Sequence, residues 1–320
     1  MVPLADIDAT VHDEMIGRAS AGTFLHTRRF LAYHGNRFQD ASLAVLDSAG
    51  ELLGSFPAAV DPSDSSCVTS HPGLSYGGLV HCGGLRGARM IEALTAVCAH
   101  YAREGFRTVR YKKVPYIYDR VPAGDDVYAL FRLGAVRYRC DLLSTIDLSD
   151  RPAPSQRRRR SLQKALKSGL EIRTGPGLIS LLWPVLEENL RRRHGVAPVH
   201  SEAEIRHLHG QFPQEIEIVA GVLDGEVHAG VVLFSTPRVV HAQYIASSSR
   251  GQEISLLDAV FDHCIAGAAA RGARYFDFGS STEDGGRRLN DGLFKFKSEF
   301  GAGSVAHDFY ELDLTVFQTA

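Results

Sequence analysis

The sequence predicts an α/β (α+β) protein made of two tandem domains, each a mixed sheet flanked by helices. Three observations carry that prediction. The second half repeats the first at an offset of 167 residues, so that Gly105 and Arg107 answer Gly272 and Arg274, Gly134 and Ala135 answer Gly301 and Ala302, and Asp141 answers Asp308. Both halves also run in one order: hairpin strands, an apolar helix, a strand, a second helix and a closing strand. A Gly-Glu turn between two apolar runs, Gly50-Glu51, recurs as Gly225-Glu226. Self-similarity at a fixed period is the mark of a repeated structural unit. The hairpins exclude a doubly wound parallel sheet, which needs a crossover between every strand pair.

Apolar spacing over 12–33 predicts an opening amphipathic helix. Ser42–Asp47 and Leu52–Val60 read as strands around the Asp-Ser-Ala-Gly turn, and the polar stretch 61–66 as a connection. A glycine-rich aromatic run, Ser75-Tyr76-Gly77-Gly78-Leu79-Val80, follows. Met90, Ile91, Leu94, Val97 and Tyr101 recur at helical spacing over 87–104, and Gly105 ends that helix. Residues 107–114 read as a strand, 125–133 as a short helix and 136–148 as the closing strand.

The segment Arg151-Pro152-Ala153-Pro154 marks the boundary, giving domains 1–150 and 151–320, the second opening with a basic helix at 155–168. Beyond it come helices at 176–194 and 201–211, then strands at 216–223, 226–235 and 239–246. A helix at 255–270, a strand at 275–279, a helix at 289–300 and a strand at 305–314 complete the repeat.

The chain has 320 residues, long enough for two cores of ordinary size. Hydrophobic content of 44%, charged content of 22% and a net charge of -2 describe a globular protein. No stretch offers the roughly 20 apolar residues a spanning helix needs, and Asp6, Asp8, Asp13 and Glu14 stand where a signal peptide carries basic residues. A cytoplasmic location is expected. Five scattered cysteines without a C-x-x-C pair point to neither a disulfide framework nor a zinc site. The fourteen histidines have no metal-ligand spacing and are expected to be structural, and no metal or permanently bound cofactor is implied.

Polar chemistry is densest from Tyr275 to Tyr310. There an apolar strand hands Asp277, Gly279, Ser280 and Glu283 to a loop, and Lys295 and Lys297 follow on a helix. The pattern Phe276-Asp277-Phe278-Gly279, then Leu289-Asn290-Asp291-Gly292-Leu293-Phe294-Lys295-Phe296-Lys297 and a closing Phe300-Gly301, resembles the C-terminal signature of the Fem family within the GNAT-like acyltransferase superfamily. Arg157–Arg173 is similar to that family's interdomain helix and strand, and 75–80 sits where its first-domain loop lies. The resemblance implies two GNAT-like domains around a cleft. It also implies transfer of an aminoacyl group from charged tRNA, or of an acyl group from acyl-CoA, onto a small-molecule amine acceptor. The first-domain loop lacks the family's proline and arginine, so no muropeptide acceptor is expected.

Amide formation requires an amine to lose a proton as it attacks an ester or thioester carbonyl, and the resulting oxyanion needs a partner. By this resemblance and chemistry Lys297 is the candidate oxyanion partner, with Lys295 behind it. Asp277, Glu283 and Asp308 are candidates to orient or deprotonate the amine. Tyr76, Lys112, Tyr116 and Tyr118 are expected to face the cleft and recognise the acceptor, with Tyr244 and Ser247 as their counterparts in the second half.

Two features bear on the donor. Arg157, Arg158, Arg159, Arg160, Lys164, Lys167 and Arg173 form a basic cluster suited to nucleic-acid phosphates, or else a solvated linker. Where a CoA loop cradles pyrophosphate on backbone N–H groups, Arg250-Gly251-Gln252-Glu253-Ile254-Ser255 lacks the central glycine and places Glu253 there, which disfavours CoA. The run Gly83-Gly84-Leu85-Arg86-Gly87-Ala88 is an alternative cradle, or a set of turns. Aminoacyl-tRNA is therefore the expected donor. An acyl-CoA-dependent acetyltransferase and a non-catalytic binding protein on the same fold are the alternatives. These patterns do not set the oligomeric state.

Overall fold

The computed structural model describes residues 1–317, except the side chains of Arg193 and His194. The elements of the first repeat are β1 Val2–Pro3, α1 Ala9–Arg18, α2 Arg28–Leu31, β2 Leu43–Leu46, β3 Leu52–Phe56, β4 Ala59–Asp61, β5 Asp64–Thr69, β6 Val80–His81, α3 Ala88–Arg103, β7 Thr108–Lys112, α4 Asp125–Arg132 and β8 Val136–Asp147. The second repeat contains α5 Gln156–Leu166, β9 Glu171–Thr174, α6 Ile179–His194, α7 Glu202–Gln211, β10 Ile216–Leu223, β11 Glu226–Ser235, β12 Val239–Ser247, α8 Ser249–Glu253, α9 Leu256–Ala270, β13 Tyr275–Ser280, β14 Thr282–Glu283, β15 Arg288–Leu289, α10 Asp291–Ser298 and β16 Gly303–Asp313.

The chain forms two compact units. One comprises Met1–Asp141, Asp284–Arg287 and Ala306–Ala320; the other comprises Leu142–Glu283 and Arg288–Val305. In the first unit β1, β2, β3 and β6 make an antiparallel sheet. A second sheet there has β4 antiparallel to β5, β5 parallel to β7, and β7 antiparallel to β16. In the second unit the order is β8, β13, β12, β11, β10 and β9, antiparallel throughout except for the parallel pair β12 and β13.

The repeat is visible in these ladders. In the first unit Cys67–Thr69 runs parallel to Thr108–Arg110, and in the second Val239–His241 runs parallel to Tyr275–Asp277, the β7 and β13 segments lying 167 residues apart. The glycines that end matching elements share a left-handed backbone, φ 91° at Gly105 and 77° at Gly272, 77° at Gly134 and 92° at Gly301. Only glycine adopts that region without steric cost. One feature departs from a plain head-to-tail repeat. The closing strand of the first repeat, β8, pairs with β13, and the closing strand of the second, β16, pairs with β7. A division at residue 150 follows the repeat in sequence, whereas in space the closing strands are exchanged.

Each unit buries its own core. Leu43, Phe56, Leu94, Val97, Tyr101, Val109 and Leu312 lie in the first, and Val219, Val231, Leu233, Phe261, Phe276, Phe278 and Phe300 in the second. Fully burying side chains of this kind contributes roughly 1.5–3 kcal/mol each.

Three element expectations are corrected. The helix expected over 12–33 breaks after Arg18, where Ala19 is extended and a Cβ on Gly22 would lie 2.7 Å from the Ile16 carbonyl. The strand expected over 52–60 divides at Pro57, which has no N–H for a ladder. Asp64–Thr69, expected in part as a loop, is a strand whose Asp64 carboxylate accepts from the Ser66 N–H at 2.9 Å. Among the described residues no helix is long and apolar enough to cross a membrane, and no cluster of His, Cys, Asp and Glu could hold a metal ion.

Candidate active site

In the second unit the ladder between β12 and β13 holds for three residue pairs and ends at His241 opposite Asp277. Beyond that point β12 runs on to Ser247 along β11 alone, with a register shift opposite Val232 and Leu233 that leaves Gln243 out of the ladder. Parting strands expose backbone groups and side chains of their facing edges at one place, and bulges re-aim residues beside active sites. On the other strand Gly279 takes φ 74°, and a Cβ there would lie 3.2 Å from His241 Cε1. The glycine therefore leaves room for the imidazole.

Asp277 is 1% exposed, yet both of its oxygens are satisfied. Its Oδ1 accepts from the Thr145 hydroxyl at 2.9 Å and from the Gly279 N–H at 3.0 Å, and its Oδ2 from His241 Nδ1 at 2.8 Å. Burial alone would raise its pKa. The hydrogen bonds and the neighbouring His241 outweigh that and hold the carboxyl below its ordinary value. An ionised Asp277 fixes the Nδ1–H tautomer of His241, leaving the Nε2 lone pair outward. His241 is 19% exposed, and its Nε2 has no hydrogen-bond partner among the described residues.

Lys297 is 3% exposed on α10, and its ammonium donates to the carbonyls of Gly279 at 3.0 Å and Ser280 at 2.6 Å. An ammonium has three N–H donors, so one remains. The contact ties α10 to the exit of β13 directly after Asp277. Burial lowers the Lys297 pKa to about 8, with Asp277 acting the other way. A lysine with a depressed folded-state pKa is destabilising while protonated, and its cost fades as pH rises from about 8 toward its unfolded value. Unfolding free energy should accordingly gain a rise with pH above about 8. Urea unfolding of Lys297→Met at pH 7 and pH 10 should show a smaller rise than the parent protein.

The remaining expected residues are distributed as follows. Glu283 pairs with Arg288 and accepts from Asn290 Nδ2 at 2.7 Å across the β14–β15 hairpin. Lys295 is exposed on α10. Tyr244 is bonded through its hydroxyl to His200 Nδ1 at 2.5 Å and packs edge-on to Trp183, and burial pushes its pKa up to about 12. Ser247 is buried, and its carbonyl accepts from Asn189 and Gln252. Arg157 lies 3.9 Å from Glu299 at the surface. Arg160 and Lys164 line an open groove of about 560 Å³ with Arg159, Lys167 and two glutamines.

Asp308, Tyr76, Lys112 and Tyr116 belong to the first unit. There Asp308 meets Arg137 at 3.3 Å. Tyr76 is 5% exposed, donates to the Thr23 hydroxyl at 3.2 Å and packs on Tyr118. Lys112 donates to the carbonyls of His71, Pro72 and Leu74 at 2.9–3.2 Å, and burial lowers its pKa to about 8. Tyr116 is 58% exposed.

The sequence reading took every histidine as structural and did not single out His241, which the fold brings to Asp277. In the ladders His241 takes the position of Thr69, which the repeat offset does not relate to it, and Asp277 takes that of Arg110, 167 residues earlier. At the same offset Lys297 answers Leu130. The two halves share a backbone and not this set of polar groups, which confines the constellation to the second unit.

Residues 154–289 match the family model of the acetyltransferase (GNAT) domain. The fold is similar over nearly its whole length to several solved structures. FemX superimposes with a TM-score of 0.70 at 13% identity, over 96% of each chain. L-PGS from Bacillus licheniformis does so at 0.59 and 12% identity, over 89% of this chain and 90% of that one. A tandem GNAT protein from the clavulanic acid biosynthesis pathway gives 0.53 and 13% identity, over 98% of each chain. No curated protein sequence matches the chain. The protein thus has a tandem GNAT-like α/β fold, and it is within the second half of the chain that the match to the acetyltransferase (GNAT) domain model falls.

Proposed function

We propose that the protein is an N-acyltransferase that forms an amide on a small amine acceptor, with aminoacyl-tRNA as donor. The observation that carries this reading is the His241–Asp277 pair, set where two parallel strands of a GNAT-type domain part. In the proposed reaction His241 Nε2 takes a proton from the acceptor amine as its nitrogen attacks the donor carbonyl carbon. A C–N bond forms, the ester C–O bond of the donor breaks, and the proton passes to the leaving oxygen. Asp277 orients the imidazole and stabilises its charged form. The remaining N–H of Lys297 serves the oxyanion, while Glu283 and Asp308 are assigned no proton transfer. Tyr244 and Ser247 shape the acceptor side of the second unit, held there by His200, Asn189 and Gln252.

The donor assignment is supported by α5. Its outward residues Arg159, Arg160, Lys164 and Lys167 make a basic face whose lining contains no carboxylate. Such a face binds a polyanion by releasing its counterions. The Fem-like pattern from Phe276 to Gly301 is compatible with aminoacyl transfer, and Glu253, exposed beside Arg250 at the end of α8, is an unfavourable neighbour for a pyrophosphate. The match to the acetyltransferase domain favours the second reading, acyl-CoA as donor, in which a C–S bond breaks instead.

The two are separated by titrating the purified protein with acetyl-CoA and with total aminoacylated tRNA at two salt concentrations. Saturable, salt-sensitive binding of tRNA alone supports the proposal, a response to acetyl-CoA alone replaces the donor, and tight binding without any transfer makes this a binding protein. Arg159→Glu with Arg160→Glu should weaken tRNA binding and reduce the slope of log affinity against log salt by about 0.7–0.9 for each phosphate that is no longer neutralised.

A further inference from the structure

Three adjacent strands of the second unit set three side chains in one row. His241 on β12 lies opposite Asp277 on β13, and Asp277 lies opposite Thr145 on β8. Residues opposite one another in a ladder point to the same face of a sheet. The row is a chain of contacts: the Thr145 hydroxyl donates to Asp277 Oδ1 at 2.9 Å, and Asp277 Oδ2 accepts from His241 Nδ1 at 2.8 Å. Thr145 is 5% exposed and Asp277 1%, so the carboxylate meets these groups in place of bulk water.

The third member of the row comes from the other repeat. Thr145 precedes the boundary at 151–154, on the closing strand of the first repeat, and it belongs to the second unit because that strand is exchanged. In the first unit the same row reads Thr69 on β5, Arg110 on β7 and Glu311 on β16. There Arg110 and Glu311 form an ion pair at 3.0 Å with side chains 31% and 39% exposed. Of the two rows, the second buries a carboxylate between a hydroxyl and an imidazole.

The same strand shapes the exit of β13. It pairs Thr145 with Asp277 and Leu143 with Ser280, so β13 takes three steps where β8 takes two. Such a bulge re-aims the groups beside it. Here the Gly279 N–H turns back to Asp277 Oδ1 at 3.0 Å, the Gly279 and Ser280 carbonyls accept from Lys297, and the Leu142 carbonyl accepts from the Ser281 N–H at 2.9 Å.

A hydroxyl donating to a carboxylate does two things for an imidazole on the other oxygen. It fixes the plane of the carboxyl group, so that Oδ2 lies in line with the Nδ1–H, and it stabilises the ionised form. Burial raises the Asp277 pKa; His241, the Gly279 N–H and the Thr145 hydroxyl together hold it below its ordinary value. The titratable groups that act on Asp277 among the described residues include His241 on β12 and Lys297 on α10.

We propose that Thr145 is a positioning residue for His241, acting through Asp277 to keep the carboxylate ionised and aimed at the imidazole. This rests on the reading of His241 as the base of the transfer.

The full-length protein is compared with Thr145→Val, which keeps the shape of the side chain and removes the donor. Two quantities are read: the hydrogen-bonded Nδ1–H proton of His241 by NMR, assigned by its loss in His241→Asn, and the steady-state rate of transfer. Without the hydroxyl, Asp277 takes up its proton at higher pH. On acidification the Nδ1–H signal should therefore be lost roughly one to two pH units earlier, the worth of one hydrogen bond to a charged group. At neutral pH kcat should fall roughly tenfold with the acceptor KM unchanged, and Thr145→Ser should restore both quantities. Thr145→Cys, a weaker donor of similar size, should fall between, and it serves as the test if the valine variant folds poorly. Ser144→Ala loses a buried hydrogen bond to Ser281 from the same strand, and should lower the unfolding midpoint without moving the signal. A signal unmoved by Thr145→Val, even with slower transfer, would overturn the proposal, as would a shifted signal with kcat unchanged. A shifted signal in a protein that transfers nothing from any donor would support the link from Thr145 through Asp277 to His241 and remove the transferase reading.

Discussion

Replacing His241 with asparagine is expected to slow acyl transfer by about 10²–10⁴-fold, the usual contribution of a positioned general base. The side chain is partly exposed and has one hydrogen bond, so the unfolding midpoint should move little. Asp277→Asn should slow transfer as well, because a carboxamide donating through its NH₂ would favour the opposite imidazole tautomer and turn the lone pair inward. It should also destabilise the fold, since Asp277 is buried and satisfies Thr145 and Gly279 as well as His241. Single-turnover rates with saturating donor and acceptor, read beside urea unfolding curves, separate the two effects. Undiminished transfer by His241→Asn would remove the base assignment and leave Lys297 as the group to test.

The largest effect on stability is expected at Arg158. Within a helix that reads as uniformly basic, this one guanidinium points inward. It is 6% exposed, lies 3.0 Å from Asp258 and 3.1 Å from Glu299, and covers the rings of Phe296 and Phe300 at 4.9 and 5.4 Å. Arg158→Met leaves the buried Asp258 without its cation and Glu299 with Arg157 alone at 3.9 Å, at a cost of about 3–5 kcal/mol for a broken buried pair. Arg157→Met, at an exposed neighbour, should cost less than about 1 kcal/mol.

The pH dependence of that penalty has a definite sign. Burial raises the Asp258 pKa to about 6, while Arg158 pulls it down. A carboxyl whose folded pKa is raised contributes stability that is present below its unfolded value and lost as pH rises through the folded value. Without Arg158 the folded pKa moves further up. The penalty of Arg158→Met should therefore be larger at pH 7 than at pH 5. Equal penalties in urea at both values would mean that Asp258 is not the group left uncompensated.

Much of the architecture is legible in the chain because it rests on local rules. Gly105, Gly134, Gly272 and Gly301 mark element ends through a backbone conformation other residues avoid, so the repeat survives where few side chains match. Strands 216–223 and 226–235 and the helix Ala88–Arg103 follow directly from apolar periodicity and turn residues. Asp277 and Lys297 are visible as polar residues at a strand exit and on the helix after it.

What tertiary structure decided is which groups meet. His241 lies 36 residues from Asp277 and Thr145 lies 132 residues away, and neither separation leaves a trace in local pattern. The same holds for Arg158, whose inward turn depends on Asp258, 100 residues on. The exchange of β8 and β16 is of this kind too, since either closing strand has the alternation to serve either sheet. Sequence by itself determined the repeat, its elements and the strand exit where chemistry collects, because propensity and backbone sterics act over a few residues. Only the fold determined the partner of each buried charge, because desolvation and hydrogen bonding are settled by whatever packing brings within about 3 Å.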